Sequence, residues 1–413
     1  MWSLVLFDTM TGRLGAPIDI PNFSWQVDVN TSTLNTTRDR RPSMEDVSNL
    51  TVPWTGIPGD TGLAKSRSIA TLRTSVALMW DGVPILAGAI GNRVDNELDT
   101  SFSLISVIDL LDSRIMCKEG TFGANVYTAK AGNNRIVETH ATSSKYEYRN
   151  LSQRAIACEV IAECTNAKPG GMLPIRLPYL GEESIHYTAD GKVNQNYWRT
   201  YYGYNVENNS GKEILTKLAT TAYGPDMQFR PTLTSENHIE YQFVAGSDAE
   251  PYLAQTGLIK TLTHFAGGGT LQSMSVSHDY AAQRVYFCGS GEGEAMNCGF
   301  AEDLRLVTQA DPWPLIEIAR SDQDISGRTV DSRAAAILAL KNMPIMQIEG
   351  TIDANDPYAP KLGTFWPGEL MRLHVQDFPS VPDGTYDVRL MEMSGTQGTT
   401  VKLLFDVMVD PTY

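Results

Sequence analysis

The run Ser75-Val76-Ala77-Leu78-Met79-Trp80 is followed by Asp81-Gly82 and then by Val83-Pro84-Ile85-Leu86-Ala87-Gly88-Ala89-Ile90. Two apolar segments flanking Asp-Gly predict a β-hairpin, because that dipeptide accepts the positive φ values of a tight primed turn. Pro84 lacks an amide hydrogen, which limits the second strand to an edge or to a bulge near its start. Upstream, Leu4 and Leu6 precede a Thr11-Gly12 turn and predict an opening hairpin, and Phe23 to Val27 alternates as a further strand. Downstream, Ser101 to Ile108 reads as another strand. Residues 1–119 are therefore expected to form a compact antiparallel barrel or sandwich, with the polar span from Asn30 to Leu63 as a long loop crossing it.

The texture then changes. Ile156, Val160 and Cys164 fall on one helical stripe within Leu151 to Thr165, with Ala157 and Ile161 beside it and Pro169-Gly170-Gly171 beyond its end. Ser210 and Glu213 form a capping box ahead of Ile214, Leu215, Leu218 and Ala219, and Gly224-Pro225 closes that helix. Met227 to Leu233 and Ile239 to Phe243 alternate on either side of Ser235-Glu236-Asn237. Helix, helix and hairpin predict an α+β accessory domain over 120–250.

Residues 251–345 read as a mixed β and helical segment. Leu271 to Ser277 and Arg284 to Cys288 are expected to pair, and Asp331 to cap a helix through Leu340 that Met343-Pro344 ends. In 346–413, Tyr386 to Leu390, the turn Gly395-Thr396-Gln397-Gly398 and Val401 to Val407 predict a closing hairpin within a second barrel. The expected class is mainly β with α+β insertions.

Composition narrows the function. The chain has 413 residues, 42% of them hydrophobic, as in an ordinary folded protein of several domains. Met1 to Asp8 has no basic segment before its short apolar run and reads as a first strand in place of a signal peptide, and no run is long enough to span a bilayer as a helix. Stable membrane insertion is not expected. The formal net charge of −15 disfavours a protein that grips a phosphate backbone, which needs clustered Lys and Arg, and no sequence-specific nucleic-acid binding is expected. The excess is clear from Met346 to Tyr413, with ten Asp and Glu against four Lys and Arg. Six Asn residues, Asn22, Asn30, Asn35, Asn49, Asn150 and Asn208, stand in N-x-Ser/Thr sequences and mark polar segments only.

The segment Val285-Tyr286-Phe287-Cys288-Gly289-Ser290-Gly291-Glu292-Gly293-Glu294-Ala295-Met296 imitates an active-site loop. A dinucleotide fingerprint needs glycine where Glu294 stands, and a carboxylate there would repel a pyrophosphate. Ser290 lacks the upstream glycine of a nucleophile elbow, since Cys288 holds that place. Glu292 and Glu294 on one strand face would lie about 7 Å apart, a spacing glycosidase carboxylates can use, but exposed acids in a strand-ending turn are the commoner arrangement. Cys117, Cys158, Cys164, Cys288 and Cys298 are odd in number with no C-x-x-C pair, which argues against a disulfide framework and a zinc ribbon and suits small buried hydrophobes. His264 and His278 together with Cys288 and Cys298 match no metal-ligand spacing. No catalytic, cofactor-binding or metal-ligating residue is assigned, and no enzyme is expected.

Trp54, Trp80, Trp198, Tyr201, Tyr202, Tyr204 and Trp366 leave open a carbohydrate- or cell-wall-binding module, if they lie on loops where rings stack on sugars. The dense run Tyr197 to Tyr204 is its best candidate, with packing or subunit contact as the competing role.

Four marks in order carry a resemblance. They are the strand pair Leu4 to Leu14 followed by Trp25; the hairpin Met79-Trp80-Asp81-Gly82-Val83-Pro84 with Gly88 and Arg93; Gly289 to Gly293 followed by Trp313, Glu317 and an Asp-rich stretch before Asp331; and the turn Trp366-Pro367-Gly368-Glu369. In these the chain resembles the minor tail or baseplate-hub proteins at the tail tip of long-tailed siphophages infecting actinobacteria. It departs from them at Glu294-Ala295-Met296, which stand in place of a small residue and a basic one. The resemblance implies a structural virion protein: a homotrimer whose two tube-like β-barrels per subunit, 1–119 and 346–413, make a pseudo-six-fold ring continuing or closing the tail tube. It implies distal tail and tape-measure proteins as neighbours and spike or receptor-binding proteins as partners. An acidic lumen, lined by Asp and Glu of 346–413 and of the first barrel, would let DNA pass without sticking.

Overall fold

A computed structural model of the chain describes residues 1–19, 23–29, 50–121, 142–185, 198–221, 224–323, 327 and 329–410, and the backbone alone of 124–131 and 134–140. The architecture is mainly β with α+β insertions. The chain packs as two units, one made of residues 1–260, 352–371 and 389–403, the other of 261–351, 372–388 and 404–413.

In the first unit a sheet runs in the order Leu14–Pro17, Trp2–Asp8, Thr74–Trp80, Val83–Asp95, Asp99–Ile105, Leu50–Pro53. Its centre is the Asp-Gly hairpin. Asp81 and Gly82 both take positive φ, 48° and 82°, and Trp80 pairs with Val83. Pro84 is accommodated by a register shift between Leu78 and Met79, ahead of the part of the strand, from Ala89 on, that pairs with Asp99–Ile105. Proline thus occupies a strand inside the sheet because its missing donor falls where no second ladder needs one.

Phe7, Ala77, Met79 and Ala87 project from one face of this sheet into the unit's main core. The same core takes in the helices Val107–Asp112, Gln153–Cys164 and Gly211–Ala219 and the hairpin Met227–Leu233 with Ile239–Ala245. It therefore runs through residue 119, where the sequence suggested a boundary. Gln153–Cys164 is buried on nearly every side, with Ser152 Oγ capping it by accepting from Ala155 N at 3.1 Å. Ser210 Oγ caps Gly211–Ala219 by accepting from Glu213 N at 3.1 Å, the first half of the box, while the Glu213 carboxylate pairs with Lys217 at 2.7 Å, and the helix stops at Ala219, short of Gly224-Pro225. On the other sheet face Trp2 contacts both Trp80 and Trp25, with ring centroids 4.7 and 5.2 Å apart.

Three expectations are corrected in this unit. The strand predicted over Ser101 to Ile108 stops at Ile105, because Ser106 Oγ accepts from Asp109 N and starts a helix there. Residues 30–49 of the predicted loop lie outside the described residues, but the rest of it holds the strand Leu50–Pro53 and the helix Gly62–Ser68, capped by Thr61. The Trp25 strand, Ser24–Asp28, expected within a barrel of residues 1–119, pairs with Glu392 to Thr396 of the strand Gly384–Thr396. Its buried indole sits against Gly395, which has no side chain to block it.

A seven-stranded sheet takes, in order, Lys260–His264, Leu370–Val375, Gly384–Thr396, Thr400–Val409, Ile345–Asp353 and Gln272–Asp279, with Ser24–Asp28 also paired to Gly384–Thr396. The closing hairpin forms as its alternation predicts. The pairing expected between Leu271 to Ser277 and Arg284 to Cys288 does not form. Gln272–Asp279 pairs with Ile345–Asp353, and Arg284–Cys288 joins a separate sheet, antiparallel to Cys298–Glu302 and parallel to Glu317–Ser321. The burial of Val285 and Phe287 decides this, since both pack on Val330, Ala334, Ile337 and Leu338 of the helix Thr329–Lys341. That helix begins two residues before Asp331, which sits in its first turn and favours the positive end of the helix dipole.

Candidate functional site

The three-stranded sheet that contains the glycine-rich segment has two unlike faces. Alternation sends Val285 and Phe287 inward and Arg284, Tyr286 and Cys288 outward. The partner strand answers in register on the outer face: Arg284 opposite Glu302, Tyr286 opposite Phe300, Cys288 opposite Cys298. A charged pair, an aromatic pair and a thiol pair thus form a ladder, each pair across one rung.

Arg284 Nε donates to Glu302 at 3.2 Å, its Nη1 donates to Glu317 at 3.4 Å, and Tyr286 Oη donates to the same Glu317 oxygen at 3.0 Å. The bonds to Glu317 and Glu302 raise the Arg284 pKa, and the bond to Glu317 followed by partial desolvation raises that of the Tyr286 phenol. Tyr286 and Phe300 lie with ring centroids 5.1 Å apart and are 40% and 48% exposed, which leaves their outer surfaces open to a contact.

Gly289 to Met296 is the connection of this hairpin. Gly289 N donates to Asn297 O at 2.7 Å, Asn297 N to Ser290 O at 2.9 Å, and a one-turn helix follows at Gly293–Ala295. Gly291 has φ of 108°, and a Cβ there would lie 2.5 Å from Ala295 O, so the glycine is a backbone requirement. Glu292 and Glu294 are exposed on this turn. The segment is a turn-forming device in the structure as in its sequence. At the sheet's inner face, a Cβ on Gly299 would come within 2.4 Å of the Val330 carbonyl. Gly299→Ala is therefore expected to push the strand off the helix and to destabilise the protein by about 1 to 3 kcal/mol in urea unfolding.

Asp303, just past the ladder, accepts from Arg305 Nη2 at 2.6 Å and from Asn342 Nδ2 at 3.1 Å. The Arg305 side chain above all holds its pKa at about 2, below the ordinary 3.8. Because the folded value is depressed, the stabilisation is present above 3.8 and is lost as pH falls through about 2. Asp303→Asn should lower stability at pH 7 by under about 1 kcal/mol, solvent screening being strong here. Urea midpoints of the two proteins should converge between pH 4 and 2; a constant gap would mean that the carboxylate charge is irrelevant.

The other residues singled out from sequence are dispersed. His264 Nδ1 lies 3.1 Å from Leu271 O and His278 Nδ1 lies 2.7 Å from Asp410, so neither joins the two cysteines. Among the described residues no group of three or more His, Cys, Asp or Glu is arranged to hold a metal. Cys158 and Cys164 are buried, which pushes their thiols up to about 12 and about 11, whereas Cys117, Cys288 and Cys298 are not core residues. Trp80 and Trp366 are core residues, unable to stack on a sugar. Tyr197 lies outside the described residues. Trp198, Tyr202 and Tyr204 are exposed, with Tyr202 and Tyr204 stacked at 5.2 Å and Arg149 over the Trp198 ring at 3.9 Å. Two of the ten acids counted from Met346 on are also interior: Glu369 bonds Arg230 at 2.7 Å and Asp410 bonds His278. Neither pairing had a local signal, since the partners are 139 and 132 residues apart.

No protein-family model matches the chain, and no curated protein does. Among solved structures it is similar to a tail protein from Neisseria meningitidis MC58, at 11% identity and a TM-score of 0.44 over 98% of this chain and 96% of that one. It is also similar to the 43 kDa tail protein of prophage MuSo2 from Shewanella oneidensis, at 10% identity and 0.46 over 98% of each chain. A third is prophage tail protein gp18 from Listeria monocytogenes EGD-e, at 9% identity and 0.39 over 98% and 94%.

Proposed function

We propose that this chain is a structural protein of a phage tail, built into the tip as a trimeric baseplate hub that continues or closes the tube. In this reading it adjoins the distal tail and tape-measure proteins, anchors spike or receptor-binding proteins, and performs no catalysis. The observation that carries the proposal is the outer ladder face: its in-register exposed aromatic pair, rimmed by ion pairs, is organised as a contact surface. The order of the four sequence marks supports it, as do the turns that three of them form. Asp-Gly forms a primed turn, Gly289 to Gly293 forms a hairpin connection, and Trp366 to Glu369 leads directly into the strand Leu370–Val375.

The net charge of −15 suits a lumen that DNA traverses, with Glu369 and Asp410 removed from the lining set by their burial and their bonds to Arg230 and His278. Purified virions probed with gold-labelled antibody against this chain should be decorated at the tail tip, and a cryo-EM map of the tip should show three copies of the chain. Decoration of the capsid, or virions lacking the chain, would overturn the assignment. The stacked, exposed Tyr202 and Tyr204 favour one second reading, a cell-wall glycan contact, for which glycan-array binding lost in Tyr202→Ala is the test.

A further inference from the structure

We propose that Cys288 and Cys298 form a reversible dithiol site, closed to a disulfide across the hairpin by exchange with a low-molecular-weight disulfide. The two residues are register partners on adjacent antiparallel strands, with their side chains on the outer face beside Tyr286 and Phe300. The Cys288 carbonyl accepts from Asp322 N at 2.8 Å on the far side of its strand, and the next rung carries the Gly289 to Asn297 bond. Cys288 and Cys298 are therefore a non-hydrogen-bonded pair, the rung at which Cα atoms approach to about 4.5 Å. That falls inside the roughly 4.4 to 6.8 Å that a disulfide spans without backbone movement.

Access fits the same chemistry. Cys298 is exposed and Cys288 partly so, whereas Cys158 and Cys164 are fully buried. The Cys298 thiol is raised by partial desolvation and then by its hydrogen bond with the Cys288 sulfur, so exchange should accelerate as pH rises. In the first step one cysteine thiolate attacks the small disulfide, forming a mixed disulfide and releasing one small thiol. In the second, the other thiolate attacks the mixed disulfide and releases the second small thiol. Two protein thiols are oxidised, one external disulfide is reduced, and both protons leave with the small thiols. The bridge closes the base of the Gly289 to Asn297 turn and holds the ladder face on a stiffened hairpin.

The experiment equilibrates the full-length protein in glutathione redox buffers, traps it by alkylation and maps the peptides by mass spectrometry. Oxidising buffer should protect Cys288 and Cys298 together in one cross-linked peptide, with reversal in reduced glutathione and faster closure at higher pH. Cys288→Ser and Cys298→Ser should each stop at a glutathione adduct on the remaining cysteine, with circular dichroism unchanged. Hydrogen exchange over Ser290 to Asn297 should slow in the bridged protein. The proposal is overturned if both cysteines remain alkylatable at every buffer ratio, or if the wild type accumulates the glutathione adduct without closing. These readouts do not depend on where the chain assembles, so they stand or fall apart from the tail-hub assignment.

Discussion

Arg230→Met is expected to destabilise the protein by about 3 to 5 kcal/mol, the usual loss when one partner of a buried ion pair is removed. Arg230 and Glu369 are 5% and 2% exposed, with Nη1 donating to Oε1 at 2.7 Å. Arg230 Nε also donates to Gln228 at 2.7 Å, and Thr256 Oγ1 donates to the same Glu369 oxygen at 2.5 Å. Burial lowers the Arg230 pKa and the Glu369 charge opposes that shift without cancelling it, so the pair offsets only part of its desolvation. Without the guanidinium, Glu369 remains buried at the end of the Trp366 to Glu369 turn with its charge uncompensated. The pair is not optimal for stability, because Arg230 Nη2 is buried without a hydrogen-bond partner among the described residues. The double variant Arg230→Met with Glu369→Leu should therefore recover to within about 1 kcal/mol of the parent or exceed it. Urea unfolding of the three proteins decides the matter: a single-variant loss below about 1 kcal/mol would show that the pair contributes little.

Trp25→Ala carries the second large effect, about 3 to 5 kcal/mol for emptying a fully enclosed aromatic site. Trp25 is 1% exposed, rests on Trp2 and lies opposite Gly395 in the ladder that joins Ser24–Asp28 to Gly384–Thr396. The space is specific, since a Cβ on Gly395 would stand 3.0 Å from the indole Nε1. That same Nε1 is buried with no hydrogen-bond partner among the described residues, so the indole brings an unsatisfied donor along with its area. Trp25→Phe should consequently cost much less than Trp25→Ala, because the smaller ring removes the orphaned donor as it removes area. Equal losses in the two variants would place the effect in the donor's surroundings and not in the volume.

The parts of this fold that were legible in the sequence are those set by neighbours a few residues away. Asp81-Gly82 forms its primed turn, Ser210 and Glu213 form their cap, and the hairpins at Met227 to Ala245 and Gly384 to Val409 follow their alternation. Where the readings failed, a local signal was present but weaker than the pattern around it. Ser106 and Asp109 are a cap inside an apolar run that otherwise continues as a strand, and Thr61 caps a helix inside a polar span. The glycine-rich segment was legible as a turn, yet the ladder beside it was not. Register between Arg284–Cys288 and Cys298–Glu302 depends on which face meets the helix Thr329–Lys341.

The amino-acid order alone specified a mainly β chain, its tight turns, its helix caps and an acidic charge balance, because each depends on backbone preferences and side-chain chemistry within a few residues. Tertiary packing decided which strands became partners and which polar groups were taken inside. It placed Trp25 against Gly395, drew Glu369 to Arg230 and Asp410 to His278, and set Cys288 opposite Cys298. Those outcomes come from burying apolar faces and compensating buried charge, whose free energies depend on residues far apart in the chain.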